Sequence, residues 1–408
     1  MPTAPPTEPP GYRAMLEELY DRARRGISPG LDRMHAALDA LDHPEASFDV
    51  VHVAGTNGKG SVSAMLHAGL RESALYTSPH LHSLTERFVV GDRPIAHAAL
   101  VDAWASIRDR IAHVPLTFFE AATLLAFTVF ARERVEVAVL EVGLGGRLDA
   151  TNVFDAPRLT VITRVGMDHT AILGSDLASI AREKAGILKR GAPLVLGAQL
   201  PEAKGAILAR ASELDVEVIE PVVVSRAPFV IEIDGAARSL SQPTLSGAHQ
   251  YENAAVAVAA LIRMGADDDA LTRAMAARWP GRLETIGDVL LDAAHNPDGA
   301  RALAAALAAE ATRRTLVFGA MRDKAHDEML AILRPFVGQV VLTQVPMERA
   351  APPDELGEPD DVRAPDVPSA LALARSLGAP IVVAGSIFVM AQARAQLLGI
   401  AADPLIAM

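Results

Sequence analysis

One stretch of ten residues, 52–61 (HVAGTNGKGS), concentrates the residue types that handle phosphate. Gly55, Gly58 and Gly60 let the chain turn tightly with its N–H groups directed inward, and Thr56 and Asn57 share that turn. Lys59 is placed to reach the β- and γ-phosphates of a nucleotide, and Ser61, at a helix start, to offer a hydroxyl to Mg²⁺. The expectation is a nucleoside triphosphate cradle. Its spacing departs from the general phosphate loop: the first glycine stands three residues before the Gly-Lys pair, and Gly60 separates Lys59 from its hydroxyl partner. A glycine-rich turn with a surface lysine is the plainer alternative, and the strand and helix signals on either side favour the cradle.

Further candidates are scattered along the chain. Glu141 ends an apolar run just before a Gly-rich loop, where an open α/β sheet places ligand-binding groups. A carboxylate there needs a cation, either a metal or Arg147 or Arg164. Ser78 precedes Pro79 and suits a metal or a turn cap. His169 follows a second run; Mg²⁺ prefers oxygen, so imidazole chemistry by itself points to hydrogen bonding or proton transfer. Lys184, beside Glu183, reads as a solvated helix residue. Asn253 suits a helix cap or a base-contacting amide, and Arg282 suits a phosphate or an interdomain ion pair.

These residues must be positioned by something. Residues 48–54 form a short β-branched run stopped by Gly55, and helical spacing follows over 61–71. Apolar runs recur at 136–142, 159–165 and 193–197, separated by helical stretches including 120–132 and 177–189, after an amphipathic helix at 12–25. Such alternation predicts an α/β fold, a mostly parallel sheet covered by helices. The pattern restarts after Trp279, Pro280 and Gly281, with strands at 289–291, 315–319, 339–345 and 381–384, helices at 297–311 and 326–333, and a surface loop at 350–368. Two domains are therefore expected, 1–285 with the phosphate loop and a smaller Rossmann-like α/β unit at 286–408. Asp292 and His295 end the second unit's first strand, facing the expected cleft.

Composition narrows the classes. Among 408 residues, 50% are hydrophobic and 22% charged, a globular balance. The net charge of −12 would repel nucleic acid, and the absence of cysteine excludes disulfides, thiolate metal sites and a Cys nucleophile. Residues 1–10 are Pro-rich without the basic and apolar regions of a signal peptide, and the longest apolar runs, such as 121–131, are too short to span a bilayer. A cytoplasmic enzyme, with no membrane or nucleic-acid partner, is the working class.

The GTNGKGS spacing resembles the Mur ligase superfamily, in particular its folylpolyglutamate synthases and bifunctional dihydrofolate synthases. TSPHL (77–81), TFFE (117–120), EVGLGGRLDATN (141–152), DHTAILG (168–174), REKAGI (182–187), HQYENAA (249–255), PGRLE (280–284) and DAAHNP (292–297) agree in the same order. The resemblance implies an ATP-dependent ligase that adds L-glutamate to dihydropteroate, to reduced folates or to both through an acyl phosphate, with Mur ligase-like domains and, we expect, a monomeric state. It implies ATP contacts from residues 55–61, Asn253, Arg282 and Asp292, and catalytic roles for Lys59, Lys184, His169 and His295. Magnesium ligands align with Ser61, Ser78, Glu141 and His169, and a second magnesium is held through a carbamylated Lys184. The resemblance also implies that His295 lies where glutamate is handled. Thr117, Phe118, Phe119, Glu120, Leu148, Asp149 and Ala150 match the dihydropteroate site; a Phe ring can stack on a pterin or fill the core, and Glu120 or Asp149 can accept from pterin N–H groups. A nucleotide switch would have no use for a second metal. A peptidoglycan Mur ligase would carry an extra N-terminal domain.

Overall fold

The computed structural model describes residues 9–26 and 28–405, so most of the Pro-rich start lies outside the described residues. The β-branched runs of the first half become strands of an eight-stranded sheet: β1 (Asp49–Ala54), β2 (Ser73–Tyr76), β3 (Phe88–Val90), β4 (Arg93–Pro94), β5 (Val137–Glu141), β6 (Leu159–Ile162), β7 (Leu194–Leu196) and β8 (Val218–Ile219). Their spatial order is β4-β3-β2-β5-β1-β6-β7-β8, parallel from β2 to β8, with β3 and β4 as an antiparallel edge. Val53 pairs with Glu141, which brings the phosphate loop after β1 beside the Gly-rich loop after β5.

Parallel strands are covered on both faces, and every residue of β5 is buried. Alternation sends Val50, Ala138 and Leu140 into one core with helices Tyr12–Asp21, His97–Ile107 and Phe118–Glu133, while Val51, Val53, Val137 and Val139 pack against Lys59–Gly69 and Ala248–Arg263. Burying each such aliphatic side chain contributes roughly 1.5–3 kcal/mol, so the strand ends that carry the loops are firmly held. The helix after the phosphate loop starts at Lys59, two residues earlier than its apolar spacing suggests, because Gly58 in the left-handed region serves as its N-cap.

A three-stranded antiparallel sheet of β9 (Val222–Arg226), β10 (Phe229–Ile233) and β11 (Ala236–Leu240) lies outside the expected elements; β9 and β11 are largely exposed, while Phe229 and Ile231 of the middle strand are buried in the core against helix Ala248–Arg263. The smaller domain holds β12 (Glu284–Ile286), β13 (Val289–Leu291), β14 (Arg314–Phe318), β15 (Val337–Leu342), β16 (Val362–Arg363) and β17 (Ile381–Ala384), ordered β12-β13-β17-β14-β15-β16. All pair in parallel except β12 with β13. The expected division at 285/286 falls inside β12, since Glu284 already pairs with Leu291. The loop expected at 350–368 contains β16 and the start of helix Val367–Ser376. No helix among the described residues is long and apolar enough to cross a membrane.

Candidate active site

A cavity of about 760 Å³ opens at the C-terminal ends of β1, β5 and β6, and all the candidate residues named from the sequence line it, including Arg282, Asp292 and His295 of the hinge and smaller domain. The floor is the phosphate loop. Gly55 has φ +146° and Gly58 φ +93°; a Cβ at Gly55 would lie 1.9 Å from Thr163 Oγ1, and one at Gly58 2.4 Å from Asn253 Oδ1. Neither position tolerates a side chain. The N–H groups of Thr56 and Asn57 donate to the Arg164 carbonyl at 2.9 and 3.1 Å, and Lys59 Nζ donates to the carbonyls of Gly55 (3.1 Å) and Thr56 (3.2 Å). Buried Ser61 accepts from Gln250 Nε2 at 3.3 Å, and Gln250 Oε1 accepts from Asn253 Nδ2 at 2.9 Å. Asn253 lies inside helix Ala248–Arg263 rather than at its start, so it does not cap that helix.

Glu141 ends β5 and is 5% exposed, with the Ser78 N–H donating to its Oε2 at 3.3 Å. Arg147, one of its expected partners, pairs instead with Glu183 at 2.9 Å. Burial raises the Glu141 pKa, opposed by the positive charge of Lys59. No three His, Asp or Glu side chains among the described residues form a metal cage. Magnesium on a nucleotide needs no such cage, since it takes one or two carboxylates and completes its octahedron with phosphate, water and other ligands. The Glu141 carboxylate and the hydroxyls of Ser61 and Ser78 supply oxygens of that kind. His169 adopts φ +50°, and burial lowers its pKa to about 4, keeping the imidazole neutral, with Lys324 Nζ 3.4 Å from its Nε2.

Lys184 corrects the expectation of a solvated side chain. It is 5% exposed, and its Nζ donates to the Gly55 carbonyl at 2.9 Å. Helix Leu177–Ala185 presses against the Gly-rich loop: a Cβ on Gly146 would meet the Glu183 and Lys184 carbonyls at 2.9 Å. Burial, with the charge of Lys59, lowers the Lys184 pKa to about 7.

The wall at 117–120 opens helix Phe118–Glu133 with a capping box, in which Glu120 N donates to Thr117 Oγ1 (3.3 Å) and Thr117 N to Glu120 Oε2 (2.7 Å). Arg33 Nε donates to Glu120 Oε1 at 3.0 Å, a contact with no motif to announce it. The Phe118 ring is buried against Tyr20 and under the Arg87 guanidinium, whereas Phe119 is half-buried and leans on Tyr76. Asp149 accepts from the N–H groups of Leu144 (2.9 Å) and Thr151 (3.0 Å) and shapes the loop that presents Leu148 and Ala150. Two of the expected hydrogen-bonding carboxylates are thus engaged in building the wall.

Across the cavity, Asp292 accepts from the N–H groups of Leu283 (3.0 Å) and Ala294 (2.9 Å), and His295 Nδ1 bonds the Ala293 carbonyl at 2.9 Å. A polar seam joins the domains. Asn296 Nδ2 donates to Asn57 Oδ1 (3.1 Å) and Asp168 Oδ2 (3.2 Å), Lys324 Nζ lies 2.5 Å from Asp168 Oδ1, and His295 Nε2 lies 3.5 Å from Asp168 Oδ2. Burial works against the Asp168 charge, but His295 and Lys324 hold its carboxyl far below the usual range. Gln250, Asp168 and Asn296 stand in blocks already singled out, one to three residues from named candidates. Lys324 had no such signal, since it lies in an isolated turn after β14.

Two family models match the chain, "Mur ligase middle domain" over residues 53–219 and "Mur ligase, glutamate ligase domain" over 281–387. The dihydrofolate synthase/folylpolyglutamate synthase of Mycobacterium tuberculosis is 38% identical over 89% of this chain and 85% of its own. A probable bifunctional folylpolyglutamate synthase/dihydropteroate synthase of Haloferax volcanii is 37% identical over 94% of this chain, which spans 50% of that longer protein. The structure of bifunctional folylpolyglutamate synthase/dihydrofolate synthase from Yersinia pestis complexed with AMPPNP and Mn ion superposes with a TM-score of 0.87 at 31% identity, covering 97% of this chain and 100% of that one. Likeness of that extent in sequence, fold and cavity leads to one conclusion: the chain belongs to the folylpolyglutamate synthase/dihydrofolate synthase family of Mur ligases.

Proposed function

We propose that the protein is an ATP-dependent ligase that joins L-glutamate to dihydropteroate, to the glutamate tail of reduced folates, or to both. The observation that carries this reading is the single cavity in which the phosphate loop, buried Glu141 and Lys184, and the Asp292–His295 turn of the smaller domain face one another. ATP lies along residues 55–61, with Asn253, Arg282 and Asp292 on the rest of the nucleotide. The folate-type carboxylate attacks the γ-phosphorus, forming an acyl phosphate and releasing ADP; the neutral glutamate amine attacks the acyl carbon, forming the amide and releasing phosphate. Lys59 offsets charge on the transferring phosphoryl group, work that is mainly positioning and electrostatics. Magnesium held by Ser61, Ser78, Glu141 and His169 would supply further charge neutralisation.

For Lys184 we favour carbamylation: the neutral amine adds to CO₂ with loss of one proton, giving a carboxylate-like ligand for a second magnesium. Its burial and its pKa near 7 support that reading, because the uncharged amine is the reactive form. Half-buried Phe119 and Leu148 offer apolar surface to the pterin, and the seam at Asp168, Asn296 and Lys324 holds the smaller domain over the acyl phosphate, keeping water out. His295 of that domain, which lines the same cavity, orients the incoming glutamate in this reading. One chain supplies every assigned residue, so we read the enzyme as a monomer, working in the cytoplasm where ATP and glutamate are abundant.

The test is ADP release measured with dihydropteroate and with a reduced folate monoglutamate, each with and without glutamate. Release should be slow until an acceptor and glutamate are both present, and the acceptor that supports it separates a bifunctional enzyme from a monofunctional one. Fast ATP turnover indifferent to both would refute the assignment.

A further inference from the structure

The last described residues leave the smaller domain and return to the larger one. After helix Ile387–Leu398 the chain passes Gly399, in the left-handed region at φ +64°, and reaches Asp403. The Asp403 N–H donates to the His82 carbonyl at 2.6 Å. Its Oδ2 accepts from the Leu84 N–H at 2.7 Å and from the hydroxyl of buried Tyr12 at 2.7 Å. Three hydrogen bonds therefore converge on a single aspartate from 319 or more residues away in sequence. Two of the partners belong to the short segment that begins with Ser78, the residue whose backbone holds Glu141.

A second tie reaches the same segment. Arg394 NH1 lies 3.0 Å from His82 Nε2, while its Nε donates to Glu284 Oε2 at 2.9 Å, and Glu284 in turn accepts from the Gly281 N–H at 2.8 Å in the linker between domains. The segment is internally braced as well, because Glu86 accepts from the N–H groups of Leu81 (2.7 Å), His82 (3.1 Å) and Ser83 (3.2 Å). Residues 81–83 are therefore held as one unit, three residues from Ser78, a contiguous path by which a shift at 82–84 can reach it.

We propose that Asp403 is a positioning residue for the ligase reaction: it pins residues 82–84 and thereby fixes the placement of Ser78 and Glu141 at the nucleotide. The inference rests on the assignment of Ser78 and Glu141 to the metal-binding set. A carboxylate suits the task because it accepts two hydrogen bonds at one oxygen and strengthens both by its charge. Groups that orient metal ligands typically change metal affinity by about 10–100-fold when removed, and a more distant brace acts more weakly.

The test compares Asp403→Ala, Asp403→Asn and Tyr12→Phe in the full chain, with Ser78→Ala as a reference. For each, the Mg²⁺ concentration at half-maximal ligation, kcat, the KM for glutamate, thermal stability and amide hydrogen exchange over residues 78–84 are measured. Asp403→Ala should raise the Mg²⁺ requirement about fivefold and speed exchange in that segment, with the glutamate KM unchanged. Asp403→Asn, which keeps an acceptor oxygen, should restore most of both, and Tyr12→Phe, which removes one bond and keeps the packing, should fall between. Faster exchange with an unchanged Mg²⁺ requirement would overturn the positioning role, and so would unchanged exchange. An Asp403→Ala effect that simply follows lost thermal stability, without rescue by Asn, would overturn it too. Should Ser78→Ala itself leave the Mg²⁺ requirement unaltered, the metal assignment beneath the proposal fails, a result separable from failure of the brace.

Discussion

The two sides of the cavity are built by opposite means. The phosphate loop is fixed by close packing: Gly55 and Gly58 touch Thr163 and Asn253 so tightly that no Cβ fits, and β1 behind them is paired on both edges. The smaller domain faces it through polar contacts at the cavity rim, among them Asn296 to Asn57 and Lys324 to Asp168. Packing of the first kind allows almost no displacement. A hydrogen bond across a seam contributes about 0.5–1.5 kcal/mol net, or about 1.5–3 where a charged group takes part, and has no packed neighbour to prevent its parting. The difference suits the proposed chemistry, in which the phosphates need a preorganised cradle while the substrates need an entrance that opens.

That comparison breaks most severely at Lys59. Lys59→Ala keeps the close packing at Gly55 and Gly58, loses the two bonds to the Gly55 and Thr56 carbonyls and removes the charge proposed to act on the transferring phosphoryl group, so kcat should fall by about 10²–10³-fold with a much smaller effect on melting temperature. A variant with normal turnover would show that this loop only turns the chain. Lys184→Ala comes next. It deletes a buried amine bonded to Gly55, and we expect about a 10²-fold loss of ligation. Adding acetate or propionate should recover part of the activity if a carboxylate-like group is what the site has lost. Rescue by Lys184→Arg, with no response to acids, would favour a simple brace for the Gly55 carbonyl.

The rigid side was also the legible side. Glycine spacing, a β-branched strand and a helix start are local signals, and residues 52–61 carry all of them within ten positions. The alternation of strands and helices disclosed both sheets, because parallel strands buried on both faces leave long apolar runs. What stayed hidden depends on partners far apart in sequence. Lys184 looked solvated because its neighbours in the helix are polar; its burial comes from the loop at 143–147, some forty residues earlier. Glu120 looked free for a ligand, and Arg33 bonds both of its oxygens. In the small sheet at 222–240 only Phe229 and Ile231 of the middle strand are buried, and the exposed outer strands give no alternation to flank that short signal.

Lys324 is where the comparison can be sharpened with the smallest effect. It comes from the smaller domain, is nearly buried, and meets an aspartate that also receives Asn296 and the backbone N–H of His169. If the seam only aligns the smaller domain, Lys324→Met should spare the phosphate loop and weaken what that domain contributes. The KM for glutamate should then rise about tenfold, the cost of a little over one kcal/mol, while the KM for ATP stays within about twofold. A loss confined to kcat would point elsewhere: Asp168 adjoins His169, and removing the lysine charge would then be felt through the residues that face the phosphates. Steady-state kinetics with each substrate varied in turn distinguishes the two outcomes, because a misaligned domain and a disturbed phosphate site raise different Michaelis constants.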